Sequence, residues 1–161
     1  MKWQAVVTLD GLVSSLRRPW VGLVNDWKMY KVSKLEQRLR SLMAGQRTLY
    51  LYGDPAYKAS FGIMCPFTHR VSRHLLLANE KAFNARLSSI QISVEHAFGH
   101  TQVLWTYTSF TKQLKSDLQP VAVYFAIAVF LTNCYTCLRG NQTSKKFVVQ
   151  PPSLQAYLNY I

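Results

Sequence analysis

The chain has 161 residues, 49% hydrophobic and 13% aromatic, which is enough for one buried core and is not typical of a disordered segment. Nineteen Lys and Arg residues against seven Asp and Glu give a formal net charge of +12. This charge favours a polyanionic partner, with nucleic acid first and an anionic membrane second. Three cysteines and no secretory signal argue against a disulfide framework, so we expect a reducing, intracellular compartment.

The first predicted elements form a β-hairpin. Residues 3–9 (WQAVVTL) are rich in β-branched and aromatic side chains and predict a strand. Asp10-Gly11 is a turn signal, and residues 12–16 (LVSSL) predict the returning strand. We expect the following Arg17-Arg18-Pro19 to break the strand pattern.

A helix is predicted next, from Asp26 to about Ala44. Asn25 or Asp26 is suited to be its N-cap, and Gly45 its C-cap. Apolar residues recur along this stretch at helical spacing: Met29, Val32, Leu35, Leu39 and Leu42.

Residues 48–52 (TLYLY) predict a short buried strand that ends at Gly53-Asp54-Pro55. Asp54 is therefore expected at the carboxyl tip of a strand, where open α/β sheets build their sites. Residues 58–78 predict irregular structure with a basic segment at 69–74 (HRVSRH).

Two helices follow, from Asn79 or Glu80 to about Leu104 and from about Ser116 to Leu138, with Pro120 in the first turn of the second. Glu95 borders the apolar stripe of the first helix. The apolar run from Val121 to Leu131 has eleven residues, whereas a bilayer span needs about 20. We therefore predict a buried helix and no membrane partner.

Asp54 and Glu95 are candidates for metal chemistry at DNA. Two-metal phosphodiester chemistry needs carboxylates that converge on two divalent ions, and hard cations such as Mg²⁺ take oxygen ligands. Taken by themselves, a strand-tip Asp is more often a turn residue and a helix Glu is more often solvated. Asp26 has a similar alternative as a helix-cap residue.

Four segments resemble Harbinger-type DDE transposases, in the family's order. Residues 51–57 (LYGDPAY) resemble its GDxxY motif, and residues 93–99 (SVEHAFG) resemble its vE..FG box. Residues 23–27 (LVNDW) with Ser33 are similar to the segment before the second aspartate. Residues 2–7 (KWQAVV) resemble the strand that opens the hairpin after the first aspartate.

The resemblance implies an α/β, RNase H-like fold that is partial, because the first catalytic strand is missing: a β-hairpin, then helix, strand, helix and helix. It implies a DDE transposase domain over residues 1–140, incomplete at its N-terminus, and a C-terminal tail at 141–161. When the family's site is transferred to this sequence, the resemblance implies that Asp54 and Glu95 are the catalytic residues. It also implies that Asp26, Asp54 and Glu95 are the ligands of Mg²⁺ or Mn²⁺.

The resemblance also implies partners and a location. DNA is the expected substrate, a Myb-like DNA-binding protein is an expected partner, and the nucleus is the expected compartment. Basic side chains that could contact phosphates are Arg70, Arg73, Lys81 and Arg86. A scattered basic face would have the same composition.

Two departures from the family's pattern lead to alternative predictions of function. The family's leading aspartate lies upstream of the hairpin and has no counterpart here, and Gln91 stands where the family has an arginine. We therefore expect reduced or no cleavage. The alternatives are a non-catalytic, basic DNA-binding remnant and an unstable pseudogene product, which would lack a cooperative unfolding transition.

Overall fold

A computed structural model describes residues 2–20, 22–44, 49–58, 60–68, 75–108 and 120–160. The chain forms two compact units, and each is discontinuous in sequence. Unit 1 comprises Met1–Gln4 and Trp20–Ile92, and unit 2 comprises Ala5–Pro19 and Ser93–Ile161.

Strands β1 (Lys2–Val7) and β2 (Val13–Trp20) form the predicted hairpin. Gly11 closes the turn with φ +84°, and its N–H donates to the Thr8 carbonyl oxygen at 2.9 Å. The prediction of a break at residues 17–19 was wrong, since β2 continues through them. In a two-stranded sheet each strand has a free edge, where proline is tolerated.

Two helices replace the single helix predicted over residues 26–44. Helix α1 is Asp26–Val32 and helix α2 is Leu35–Met43. Between them Lys34 has left-handed backbone angles, φ +54° and ψ +24°, which end one helix before the next begins. Asn25 is confirmed as the N-cap of α1, because its Oδ1 accepts from the Trp27 N–H at 2.8 Å. Gly45, the predicted C-cap, lies outside the described residues.

Strand β3 (Leu51–Tyr52) is shorter than predicted and pairs in parallel with β4 (Ile63–Met64). Strand β4 lies within residues 58–78, which we predicted to be irregular. The loop between the two strands, residues 53–62, carries Asp54. Hydrogen bonds hold both ends of this loop: Leu51 N to Gly62 O at 2.7 Å and Gly53 N to Met64 O at 2.9 Å.

The core of unit 1 forms where α1 and α2 bury their apolar faces. Tyr30 and Met29 are 1% and 2% exposed, and Leu35, Leu39 and Ile63 are also buried. Asn84 fixes the segment after β4, since its side chain both accepts from Phe67 N and donates to Phe67 O, each at 2.9 Å.

Helix α3 (Ala78–Leu104) contributes residues to both units, whereas α4 (Val121–Arg139) lies in unit 2. Pro120 is the N-cap of α4, and the predicted start at Ser116 lies outside the described residues. Helix α4 buries one face: Val121, Phe125, Ala128, Val129, Thr132, Asn133 and Thr136. By length and composition alone α4 could also cross a membrane, a test that core helices of soluble proteins pass too.

Two asparagines connect α4 and its C-terminal flank to the hairpin within unit 2. Asn133 Oδ1 accepts from Val13 N at 2.9 Å, and Asn133 Nδ2 donates to Val13 O at 3.0 Å. Asn141 Nδ2 donates to Gly11 O at 2.9 Å, and a side chain at position 11 would overlap Asn141. The two asparagine amides therefore satisfy backbone groups at the end of the hairpin.

The predicted tail, residues 141–161, contains helices α5 (Gln142–Phe147) and α6 (Leu154–Asn159). Helix α6 packs on α4, where the Tyr157 hydroxyl oxygen accepts from Asn133 Nδ2 at 2.9 Å. The mixed α/β architecture is confirmed, with helices and two small sheets.

Candidate functional site

Asp54 lies in unit 1, two residues after β3. Its Oδ1 accepts from the Ala56 N–H at 2.8 Å, and its carbonyl oxygen accepts from the Tyr57 N–H at 3.1 Å. These bonds form the turn that Asp-Pro sequences favour. Among the described residues none donates a hydrogen bond to the second carboxylate oxygen, Oδ2. The side chain therefore shapes its own loop through Oδ1.

Asp26 is the first residue of α1. Its Oδ1 forms an ion pair with Lys2 Nζ at 3.3 Å, and Lys2 Nζ also donates to the Val24 carbonyl oxygen at 3.4 Å. A carboxylate in the first helical turn is also favoured by the helix dipole. Asn25 already caps the helix, so Asp26 is not needed as its cap.

The pKa of the Tyr57 hydroxyl is raised, and the charges of Asp26 and Asp54 are among the causes. Burial raises the pKa of its hydroxyl, and the negative charges of Asp26 and Asp54 raise it further, while a hydrogen bond from Gln4 lowers it. The ring packs edge-on against Tyr30, with centroids 6.3 Å apart. Asp54 shares the loop of Tyr57, and Asp26 begins α1 in the same unit, so the surroundings of Tyr57 are the neighbourhood in which a site is sought.

Gln4 is a member of this neighbourhood that the sequence analysis missed. It is 5% exposed, and its Nε2 donates to the Tyr57 hydroxyl oxygen at 3.4 Å. Its Oε1 has no hydrogen-bond partner among the described residues. A buried amide oxygen without a donor is costly unless a ligand satisfies it. The available signal was a glutamine within an otherwise apolar strand.

Cys65 follows β4 and lies near the same loop. Burial raises the pKa of its thiol, and the charge of Asp54 raises it further. The thiol is therefore protonated at neutral pH and is a poor metal ligand in that form. All three cysteines are free, as predicted.

Glu95 is exposed on α3 and belongs to unit 2, whereas Asp26 and Asp54 belong to unit 1. Two residues earlier Ser93 is 6% exposed, and its Oγ lacks a partner in the described part of the chain. His96 is exposed, as expected for a helix-surface residue. Within the described ranges no group of three or more His, Cys, Asp or Glu side chains is gathered that could hold a metal ion.

The structure describes two of the four predicted phosphate contacts. Arg70 and Arg73 lie outside the described residues. Lys81 and Arg86 are both exposed on α3. Five residues of helix separate them, which turns one side chain about 140° from the other. The two cations therefore project in different directions.

Comparison with known protein families identifies the class of the chain. The sequence model of the DDE superfamily endonuclease family matches residues 1–133, which include Asp26, Asp54 and Glu95. The chain belongs to this family of DDE superfamily endonucleases. The predicted relationship to DDE Tnp4-like domains is thereby confirmed. Searches of curated proteins and of solved structures gave no match.

Proposed function

We propose that the chain is a transposase-derived endonuclease domain with an RNase H-like fold that binds Mg²⁺ or Mn²⁺ and acts on DNA phosphodiesters in the nucleus. A Myb-like protein would supply sequence-specific DNA binding. Membership of the DDE superfamily endonucleases supports the reaction class. The net charge of +12 supports a polyanionic substrate.

The observation that carries the proposal is the match of the DDE superfamily endonuclease model to residues 1–133, which include Asp26, Asp54 and Glu95. In unit 1 the Nε2 of Gln4 donates to the Tyr57 hydroxyl oxygen. The buried Oε1 of the same amide has no hydrogen-bond partner among the described residues. Carboxylate and amide oxygens are the donors that a hard cation prefers, so the donor chemistry fits a magnesium site. Asp26, Asp54 and Gln4 are the residues of unit 1 that would hold it.

A bound divalent cation would supply charge stabilisation at a phosphoryl oxygen and a more acidic water. The chain's own residues orient the carboxylates for this role. Lys2 holds Asp26 at the start of α1, and the turn at Ala56 holds Asp54. Tyr57, with its raised pKa, keeps its proton and remains a hydrogen-bond donor toward the carboxylates or a phosphate.

Reduced or absent cleavage is part of the proposal. Two-metal cleavage needs several convergent carboxylates, and the described residues gather no group of three or more His, Cys, Asp or Glu side chains. Glu95 is proposed as the third acid, as in the family. A non-catalytic, basic DNA-binding domain is the second candidate function, which the net charge favours.

Metal titration tests the site. We expect Asp26→Asn and Asp54→Asn each to weaken Mn²⁺ binding at least tenfold, measured by electron paramagnetic resonance of free Mn²⁺. Glu36→Gln is the matched control, because Glu36 lies in unit 1 but pairs with Arg40 at 2.8 Å. Unchanged affinity in both aspartate variants would refute the assignment. Metal-dependent nicking of a supercoiled plasmid by the wild-type chain would separate the endonuclease from the non-catalytic candidate.

A further inference from the structure

Four exposed cations follow one another along α1 and α2, and none was singled out by the sequence. We call them the basic ridge: Lys28, Lys31, Lys34 and Arg38. Each side chain is exposed, while the neighbouring apolar residues Met29, Tyr30, Leu35 and Leu39 face the core. The four cations therefore lie outside the buried face of the two helices.

The ridge is continuous along the backbone. Lys28 and Lys31 are three residues apart on α1, so their side chains are neighbours on one face. The Lys34 N–H donates to the Lys31 carbonyl oxygen at 3.4 Å, and the Arg38 N–H donates to the Lys34 carbonyl oxygen at 3.2 Å. Each cation is thus one helical step or one hydrogen bond from the next.

The carboxylates of the same two helices do not neutralise the ridge. Asp26 pairs with Lys2 at 3.3 Å, and Glu36 pairs with Arg40 at 2.8 Å. In the described part of the chain no ridge residue forms an ion pair. Four like charges without counter-charges repel one another, and a polyanion relieves that repulsion.

Lys34 adds a second observation, since its φ of +54° is a conformation that glycine adopts without strain. A residue with a side chain pays about 1–2 kcal/mol for this backbone geometry. The strained position carries a cation, and this cation joins the lysines of α1 to Arg38 of α2. Lys31 also lies over the Trp27 ring at 5.4 Å, which holds its ammonium beside α1.

We propose that the basic ridge contacts the backbone phosphates of double-stranded DNA. The proposal rests on the proposed function, which names DNA as the substrate class. Lysine is a flexible point charge suited to phosphates, whereas reading of base edges favours bidentate side chains. The ridge therefore positions the duplex without specifying its sequence. Asp26 and Lys28 are two residues apart on α1, a spacing that turns their side chains to different sides of the helix, so the ridge is a surface distinct from the carboxylates that would hold the metal.

The test compares two sets of four neutral substitutions by fluorescence anisotropy of a labelled duplex across a salt series. The ridge set is Lys28→Gln, Lys31→Gln, Lys34→Gln and Arg38→Gln. The control set removes the same charge from other exposed positions: Lys58→Gln, Arg139→Gln, Lys145→Gln and Lys146→Gln. Each phosphate contact contributes about 0.9 to the slope of log affinity against log salt. We expect loss of the four contacts of the ridge set to lower this slope by about 3.6 and to weaken binding at least tenfold.

Several results would overturn the proposal. They are wild-type affinity in the ridge set, an equal loss in the control set, and ridge-dependent binding to vesicles containing phosphatidylserine without binding to the duplex. A further set, Lys28→Arg, Lys31→Arg and Lys34→Arg, keeps the charge and is expected to keep the affinity. This set controls for folding, because it changes the same lysine positions without removing their charge. If it folds but does not bind DNA, the proposal is contradicted.

Mn²⁺ titration of the ridge set without DNA separates the two proposals. Retained metal affinity together with lost DNA binding is the expected result. If the aspartate variants bind Mn²⁺ normally while the ridge set loses DNA, the metal site fails and the ridge stands.

Discussion

The side-chain amide of Gln4 donates a hydrogen bond to the hydroxyl oxygen of Tyr57 across 53 residues of sequence. This bond connects the first strand to the loop that carries both Asp54 and Tyr57. Unit 1 therefore depends on a polar contact between residues that are distant in sequence and part-buried in the fold.

Replacing Tyr57 with phenylalanine is expected to lower the free energy of unfolding by about 1–2 kcal/mol, because the buried Gln4 amide loses its partner. Urea denaturation measures the change. Tyr52→Phe is the control, since Tyr52 is 43% exposed. Equal effects of the two substitutions would show that the Gln4 contact contributes nothing specific.

The reactivity of Cys65 reports on Asp54. In a chain with Cys134→Ser and Cys137→Ser, Asp54→Asn is expected to speed alkylation of Cys65 at pH 8, because the carboxylate raises the pKa of the thiol. Burial is the larger cause of the raised pKa and remains, so the gain is a few-fold. Asp26→Asn is the control, since Asp26 lies on α1 and pairs with Lys2. An unchanged alkylation rate in Asp54→Asn would mean that the Asp54 carboxylate is too far from Cys65 to affect its thiol.

Acid is expected to destabilise unit 2 through His100. Burial lowers the pKa of this imidazole below its ordinary value of 6.5, and the ring packs edge-on against Tyr135. Above pH 6.5 both folded and unfolded states are neutral at this group. As the pH falls below 6.5 the unfolded chain takes up the proton first, so stability is lost until the lowered folded pKa is passed.

The thermal midpoint between pH 7.5 and 5 measures the effect. His100→Gln cannot take up the proton, so its midpoint is expected to fall less than that of the wild type. The exposed His96 provides the control, and His96→Gln is expected to follow the wild type. Parallel pH profiles for wild type and His100→Gln would contradict the prediction.

Val148 is expected to be a position where glycine stabilises the fold. It ends α5 with φ +55° and is 86% exposed, so its side chain is strained and buries little surface. Relief of a left-handed conformation is worth about 1–2 kcal/mol, and glycine costs about 0.5–1 kcal/mol of entropy. The net gain for Val148→Gly is roughly 0.5–1 kcal/mol by chemical denaturation.

Val149→Gly is the matched comparison, since Val149 does not have a positive φ. It removes a β-branched residue from an ordinary conformation and is expected to destabilise by about 0.5–1 kcal/mol. A loss of stability in both variants would mean that Val148 is not strained.

Local signals in the sequence predicted much of the fold. The Asp10-Gly11 turn and the Asn25 cap are decided by neighbouring residues, and both were confirmed. The break at Lys34 was missed because the apolar spacing of Met29, Leu35 and the residues around them continues across it. Neither glycine nor proline marks the break, so no sequence rule indicates it.

The candidate site was likewise predicted only where the signal lies in neighbouring residues of the sequence. Asp54 was found through its turn and the family motif, which are contiguous in sequence. Gln4 was missed because its partner Tyr57 lies on a different element. The basic ridge was missed because its cations are spread over two helices, and the break between those helices at Lys34 was not predicted.

The asparagine contacts of the hairpin have a consequence for biosynthesis. Val13 and Gly11 are made early, but Asn133 and Asn141, which bond to them, are translated 120 and 130 residues later. A two-stranded hairpin alone is marginally stable in water. The nascent hairpin therefore leaves the ribosome without these partners, and unit 2 can close only after α4 and its C-terminal flank have emerged. A ribosome paused before residue 133 would present the hairpin to chaperones and proteases.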